Sequence, residues 1–192
     1  GNDIFGERSA GSPFNIYLPG NYAVAGEDGH TISFEKTGNR SYAVVAGDNV
    51  AEAWPLDSFE YGLYHLRVYG PNGFFREHRG NQKDPDLLIR CEYERSPLNR
   101  NKASGRLQFI ISSRHSHTCQ LSITDKAYKN KPVSKQVPSH AETRIVLDPA
   151  KSHGWYDFIL TVKGFEQFEK RFAGRVETGQ DSFTDPYMGR TI

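Results

Sequence analysis

One stretch of this chain is written twice. "FFREHRG", residues 74–80, aligns without gaps against "FEKRFAG", residues 168–174, sharing a leading Phe and a closing Gly. Upstream, Gly62-Leu63-Tyr64 matches Gly154-Trp155-Tyr156. Further back, Leu56-Asp57 matches Leu147-Asp148 at almost the same distance from the glycine. Chance can supply any one of these matches, but four in the same order read as a duplication, which constrains the fold to two related units. Each unit ends in Leu-Asp, a short loop, a Gly-x-Tyr strand, a hairpin, and a basic-aromatic strand closing on Gly.

The rhythm inside the repeats is alternation. In "YHLRVY", Tyr64, Leu66 and Val68 face one way and His65, Arg67 and Tyr69 the other; "WYDFILTV", "RLQFIIS" and "CQLSI" behave alike. Period two over short spans, cut by Gly, Pro, Asn and Ser, predicts half-buried antiparallel strands. In "DPDLLIRCEYER", Asp84-Pro85 could open a helix, but Leu87, Ile89, Cys91 and Tyr93 alternate with charged residues and favour a strand. No segment makes an amphipathic helix, and 12 Phe and 10 Tyr suit a β-rich chain.

The expected fold is therefore all-β: two consecutive immunoglobulin-like β-sandwich units, residues 1–83 and 84–192, the first N-terminally truncated. Nothing before Phe14 corresponds to the strands expected at 87–94 and 106–112. The first unit also carries an extra stretch in which "GEDGH" and "KTGN" turns flank "TISFE", read as an added hairpin. The linker is expected at "GNQKDPD", residues 80–86. A half domain with an open sheet edge invites pairing with the second unit or with another chain.

With 24 Lys+Arg against 23 Asp+Glu and no block of like charge, an electrostatic grip on nucleic acid is not expected. No run approaches the roughly 18–20 apolar residues of a membrane-spanning helix. Gly1 reads as a cloning remnant, so that any targeting signal lies elsewhere. Cys91 and Cys119 could pair if their strands are neighbours, but two packed thiols are the plainer reading.

The search for chemistry returns little. His115 and His117 in "HSH" could share a metal if extended, but they lack a third ligand and are expected in a hairpin loop. Glu177, Asp181 and Asp185 crowd the C-terminal "VETGQDSFTDP", where a calcium site is conceivable; a terminal segment docked along the sandwich is the default. The nucleophile elbow, the phosphate-binding loop and the H-E-x-x-H pattern are absent. A non-catalytic chain with no cofactor and no metal is expected. In "GPNGFFR", Pro71, Asn72 and Gly73 suit a tight turn. Phe74, Phe75 and Arg76 are then candidates for contact with lipid or a neighbouring domain, against a plainer reading in which the phenylalanines pack into core and edge. Burying one Phe is worth roughly 1.5–3 kcal/mol, so such a tip would assist attachment to a membrane without securing it.

"YHLRVYGPNGFFREHRG" and "WYDFILTV" with "KRFAGRVETGQDSFTDPYMG" resemble the tandem C-terminal domain of bacterial phosphocholine-specific phospholipases C. The family pattern falls on Gly62 to Tyr64, Gly70 to Gly80, and Ala173 to Pro186, with two departures: His65 in place of Asp, and His78 in place of an aromatic residue. In that family the domain comes twice after a catalytic domain of alkaline-phosphatase type, and no position here matches the catalytic residues. The resemblance implies an exported parent, periplasmic or secreted, that cleaves phosphatidylcholine or sphingomyelin to phosphocholine. For this region it implies two partners, the upstream phosphatase-like domain and a phospholipid surface. Two rival readings remain. A carbohydrate- or protein-binding sandwich would present a row of exposed aromatics such as Tyr69 with Phe75, and an enzyme in its own right would need an acid/base cluster in a cleft.

Overall fold

The computed structural model describes residues 10–30, 32–99 and 102–188, with the backbone alone for residues 36 and 37. Gly1, read above as a cloning remnant, and Thr31 of "TISFE" lie outside the described residues, as does most of the stretch before Phe14. Eleven strands run β1 (Ser12–Ala25), β2 (Ile32–Val44), β3 (Tyr64–Tyr69), β4 (Phe75–Gly80), β5 (Leu87–Arg95), β6 (Ala103–Ser113), β7 (Cys119–Asp125), β8 (Val133–Val137), β9 (Glu142–Leu147), β10 (Trp155–Val162) and β11 (Phe165–Arg175). Helical structure among the described residues is limited to three short 3-10 turns. The all-β expectation holds, and "DPDLLIRCEYER" is a strand.

All pairings are antiparallel, in two sheets: one of eight strands, ordered β2-β1-β3-β4-β11-β10-β7-β8, and one of three, ordered β5-β6-β9. The eight-stranded sheet crosses the boundary between the copies. The open edge expected of the first copy is taken by the second, through the β4–β11 ladder.

The register of that ladder follows from the repeat. The gapless alignment equates Phe75 with Glu169, Glu77 with Arg171 and Arg79 with Ala173. The ladder pairs Phe75 with Ala173, Glu77 with Arg171 and Arg79 with Glu169. Exchanging the copies maps each pair onto another and Glu77–Arg171 onto itself, so a pseudo-two-fold axis passes through that pair. Strand order reads outward as β4-β3-β1-β2 on one side and β11-β10-β7-β8 on the other. Backbone geometry repeats as well: Tyr61-Gly62 have φ of 57° and 64°, and His153-Gly154 have 56° and 86°.

Two loop expectations need correction. "GEDGH" is the turn between β1 and β2, closed by Gly29 N donating to Gly26 O at 2.9 Å. "KTGN" is not a turn; its backbone runs inside β2, opposite a register shift between Leu18 and Asn21 that absorbs the irregularity. The hairpin is thus the whole of β1–β2, not an insertion between two turns. "HSH" does not close a hairpin either: β6 and β7 belong to different sheets, so residues 114–118 form an arch from one layer to the other.

Side chains alternate as read. One face of the large sheet, here the inner face, carries Tyr156, Phe158, Leu160 and Val162 on β10 and Phe168 and Phe172 on β11, all buried. The three-stranded sheet covers them with Leu107, Phe109 and Ile111, which are 1 %, 0 % and 0 % exposed. Each fully buried side chain of this kind contributes roughly 1.5–3 kcal/mol. Ahead of β5, Leu18 and Phe59 are the only large apolar side chains buried among the described residues. Nearly the whole core belongs to the second copy.

The seam between the copies as candidate functional site

The turn at 71–73 has the geometry its residues favour. Asn72 and Gly73 take φ of 55° and 72°, and Gly70 N donates to Phe74 O at 2.9 Å. A Cβ on Gly73 would stand 2.7 Å from Cζ3 of Trp155, so only glycine lets the turn sit against that ring. Asn72 Nδ2 donates to Glu177 Oε1 at 2.6 Å. The turn of copy one is seated on copy two.

Phe74, Phe75 and Arg76 all lie at this seam, each half-buried. Phe74 faces inward, edge-on to Phe14 with centroids 5.5 Å apart. The Arg76 guanidinium lies 4.2 Å from the Phe74 ring centroid and 5.1 Å from that of Phe172. It donates to the carbonyls of Phe75 and Ala173 at 2.8 and 2.9 Å and to the Tyr156 hydroxyl at 3.2 Å. A cation held between two aromatic faces is stabilised by about 0.5–2 kcal/mol, and its donors are satisfied across the copy boundary. Phe75 faces outward, 4.9 Å from the Tyr69 ring, with Arg171 at 5.2 Å from its centroid.

On the outer face the axis pair sits in a charge network. Glu77, 5 % exposed, accepts from Arg67 Nε at 2.7 Å; His65 Nε2 lies 2.7 Å from the same oxygen and Arg171 Nη1 4.0 Å from the other. Arg171 forks onto Asp157 with two bonds of 2.6 Å. Burial works to raise the Glu77 pKa, but the bonds from His65 and Arg67 outweigh it and hold the carboxyl below its ordinary range. The bidentate Asp157 partner moves Arg171 the other way, further into its charged form.

On the inner face Tyr64 donates to Asp84 Oδ2 at 2.5 Å and accepts from Lys170 Nζ at 2.6 Å. Burial pushes Lys170 down to about 8. Asp84 also caps the connection between the copies, accepting from Asn81 N at 3.0 Å, so residues 80–86 form a folded turn with Pro85 buried. A Cβ on Gly80 would collide with the Asp84 carboxylate and the Tyr64 hydroxyl. His78, inward beside Phe172, is driven down to about 4 by burial first and then by Lys170 and Arg76, and its buried Nδ1 has no hydrogen-bond partner among the described residues.

The Glu77 and Asp84 networks were not singled out from sequence, yet one signal was there. An antiparallel pairing of duplicate strands brings the self-equivalent position face to face with its counterpart, and the alignment sets Glu77 against Arg171.

The other sequence candidates are dispersed. His115 and His117 have ring centroids 6.2 Å apart, with His115 packed on Phe165. Among the described residues no group of three or more His, Cys, Asp or Glu converges as a metal ligand set. Asp185 accepts from Tyr128 while Glu177 holds Asn72, and the segment docks through Trp155 Nε1 donating to Phe183 O at 2.9 Å. Cys91 and Cys119 are free thiols.

The architecture defines a class: a duplicated all-β region whose two copies share one sheet about an internal axis. A sequence profile described as "Bacterial phospholipase C, C-terminal domain" matches residues 2–81 and 88–175, and the chain belongs to that family. It is 30 % identical to a non-hemolytic phospholipase C of Pseudomonas aeruginosa, over 92 % of this chain and 28 % of that protein. A hemolytic phospholipase C of the same organism is 34 % identical over 66 % of this chain and 17 % of its own length. A non-hemolytic phospholipase C of Burkholderia pseudomallei is 27 % identical over 77 % and 21 %. The chain thus spans less than a third of the length of these relatives.

Proposed function

We propose that this region is the non-catalytic C-terminal part of an exported bacterial phospholipase C that cleaves phosphatidylcholine or sphingomyelin to phosphocholine. It serves as a rigid plate that buttresses an upstream phosphatase-like domain and orients it toward a lipid surface, in the periplasm or outside the cell. The observation that carries this reading is the β4–β11 ladder with its ion pairs and Arg76 clamp, which joins two copies into one sheet. A plate of that kind holds a fixed orientation, whereas two domains on a flexible linker would not. The half-buried Phe74 and Phe75 are then invested in rigidity rather than in gripping lipid. Deleting the region from the longer enzyme is expected to lower its stability and its turnover on phosphatidylcholine vesicles more than its turnover on a soluble phosphocholine ester. Equal kinetics on both substrates, with unchanged stability, would remove the support for it.

One observation favours a second reading, a carbohydrate- or protein-binding face. Tyr17, Tyr69 and Phe75 form a row on the outer face, with Tyr17 and Tyr69 exposed and neighbouring centroids 5.5 and 4.9 Å apart. The rings meet at 88°, edge to face, and at 54°, tilted, where a sugar platform needs coplanar faces. Signal on a glycan array, abolished by Tyr69→Ala, would make it the better account.

A further inference from the structure

The internal axis makes the two copies comparable position by position, and the comparison exposes a gap. Ladder registers equate Phe14 with Leu121, Ile16 with Ile123, Val44 with Val137, Leu66 with Phe158 and Val68 with Leu160. In copy two these residues are 0 %, 2 %, 0 %, 3 % and 0 % exposed. In copy one all five counterparts are only half-buried. A two-fold normal to the sheet leaves the same side inner in both copies, so it is the same face, sealed in one copy and partly open in the other.

A second lack coincides with the first. In copy two the segment before the Leu-Asp motif is β9, hydrogen-bonded to β6 from Leu147 to Glu142. In copy one residues 51–55 take that place; all but the half-buried Trp54 are exposed, and none joins a strand ladder. They nevertheless cross the inner side, since Arg40 on that face of β2 meets Glu52 at 2.8 Å. What satisfies both needs in copy two is one element, the β5–β6 pair, which covers the face, pairs with β9 and runs directly into β7. Among the described residues β5 itself pairs on one side only, and Tyr93 on it bonds Arg175 O at 3.0 Å beside the copy boundary. The outer edge of β5, which joins no further strand among the described residues, therefore borders the open face, ready to be continued.

We propose that the inner face of β1, β3 and β4 is the docking surface for a two-stranded β-hairpin of alternating apolar residues, supplied by polypeptide that precedes Gly1 in a longer form of this protein. Its second strand precedes β1 in the chain as β6 precedes β7. Residues 51–55 straighten against that strand as the third member of a layer equivalent to β5-β6-β9.

Thiol labelling of Leu66→Cys tests this. The variant is made in the 192-residue chain and in a longer form carrying its natural N-terminal polypeptide, with Thr124→Cys, exposed on β7, as a control. The native thiols add a slow background, because burial pushes Cys91 up to about 11 and Cys119 is 4 % exposed. The docked hairpin is expected to slow labelling at position 66 about tenfold or more in the longer form, the factor that each 1.4 kcal/mol of opening free energy sets, while position 124 labels equally in both. Equal rates at position 66 in the two forms would overturn the proposal. Protection in the 192-residue chain that grows with its concentration would also overturn it, because the occupant would then be a second copy. Should Leu66→Cys fail to fold in the longer form, Val68→Cys on the same face carries the same comparison.

Discussion

His78 concentrates the acid sensitivity of the seam. It is the counterpart of Phe172, and the two rings meet edge-on with centroids 5.9 Å apart. An unfolded histidine takes up a proton near pH 6.5, whereas burial holds His78 neutral down to about 4. Between those values the unfolded chain binds more protons than the folded one, so stability falls as pH falls, by on the order of 3 kcal/mol in all. Glu77 acts in the next window down: its depressed pKa supplies stability above the ordinary glutamate range that is lost on further acidification. His78→Phe should remove the first loss and leave the second. Melting temperatures measured from pH 4 to 8 are expected to be higher than those of the parent and nearly flat between about 6.5 and 5. A variant that kept the parent's slope there would assign the proton uptake to another group.

At the scale of elements, equivalent positions carry unequal loads. Phe158 is 3 % exposed under the second layer, and Phe158→Ala should cost about 3–5 kcal/mol by chemical denaturation. Its counterpart Leu66 is half-buried, and Leu66→Ala should cost about 1–2 kcal/mol, because there is less burial to lose and no closed cavity to leave. Equal losses at both positions would mean that the inner face of copy one is as closed as that of copy two. The elements themselves were legible in the sequence, since alternation in "YHLRVY" and "WYDFILTV" assigns each residue to the face it occupies. The turn at Pro71-Asn72-Gly73 was equally plain. What lay beyond that reading were facts settled by tertiary pairing. "KTGN" has turn composition, but the bulge that tolerates it lies on β1, a partner the local sequence does not announce. "SSRHSHTC" separates two strands in either case, and only the packing of layers decides whether they pair or part. The partnership of Tyr64, Asp84 and Lys170 rests on residues 20 and 106 positions apart, and no periodicity links them.

At the scale of the whole molecule, the continuous sheet and the one-sided core pull in different directions. The β4–β11 ladder, the Arg76 clamp and the Glu77–Arg171 pair tie the copies together, but apolar burial, the dominant favourable contribution, is concentrated in copy two. Regions with little buried apolar surface open at lower free energy than the core they border. Copy one should therefore fray from its β2 edge inward while the second sandwich persists. Each copy carries one tryptophan, Trp54 and Trp155, so the two can be followed separately in the variants Trp155→Phe and Trp54→Phe. In urea the Trp54 signal is expected to change at a lower midpoint than the Trp155 signal. Residues 84–188 expressed alone should retain the Trp155 midpoint to within the loss of the seam contacts. Coincident midpoints in the full chain, together with a residue 84–188 fragment that no longer folds, would mean that the ladder makes the two copies one cooperative unit. The core of copy two would then depend on a sheet that copy one completes.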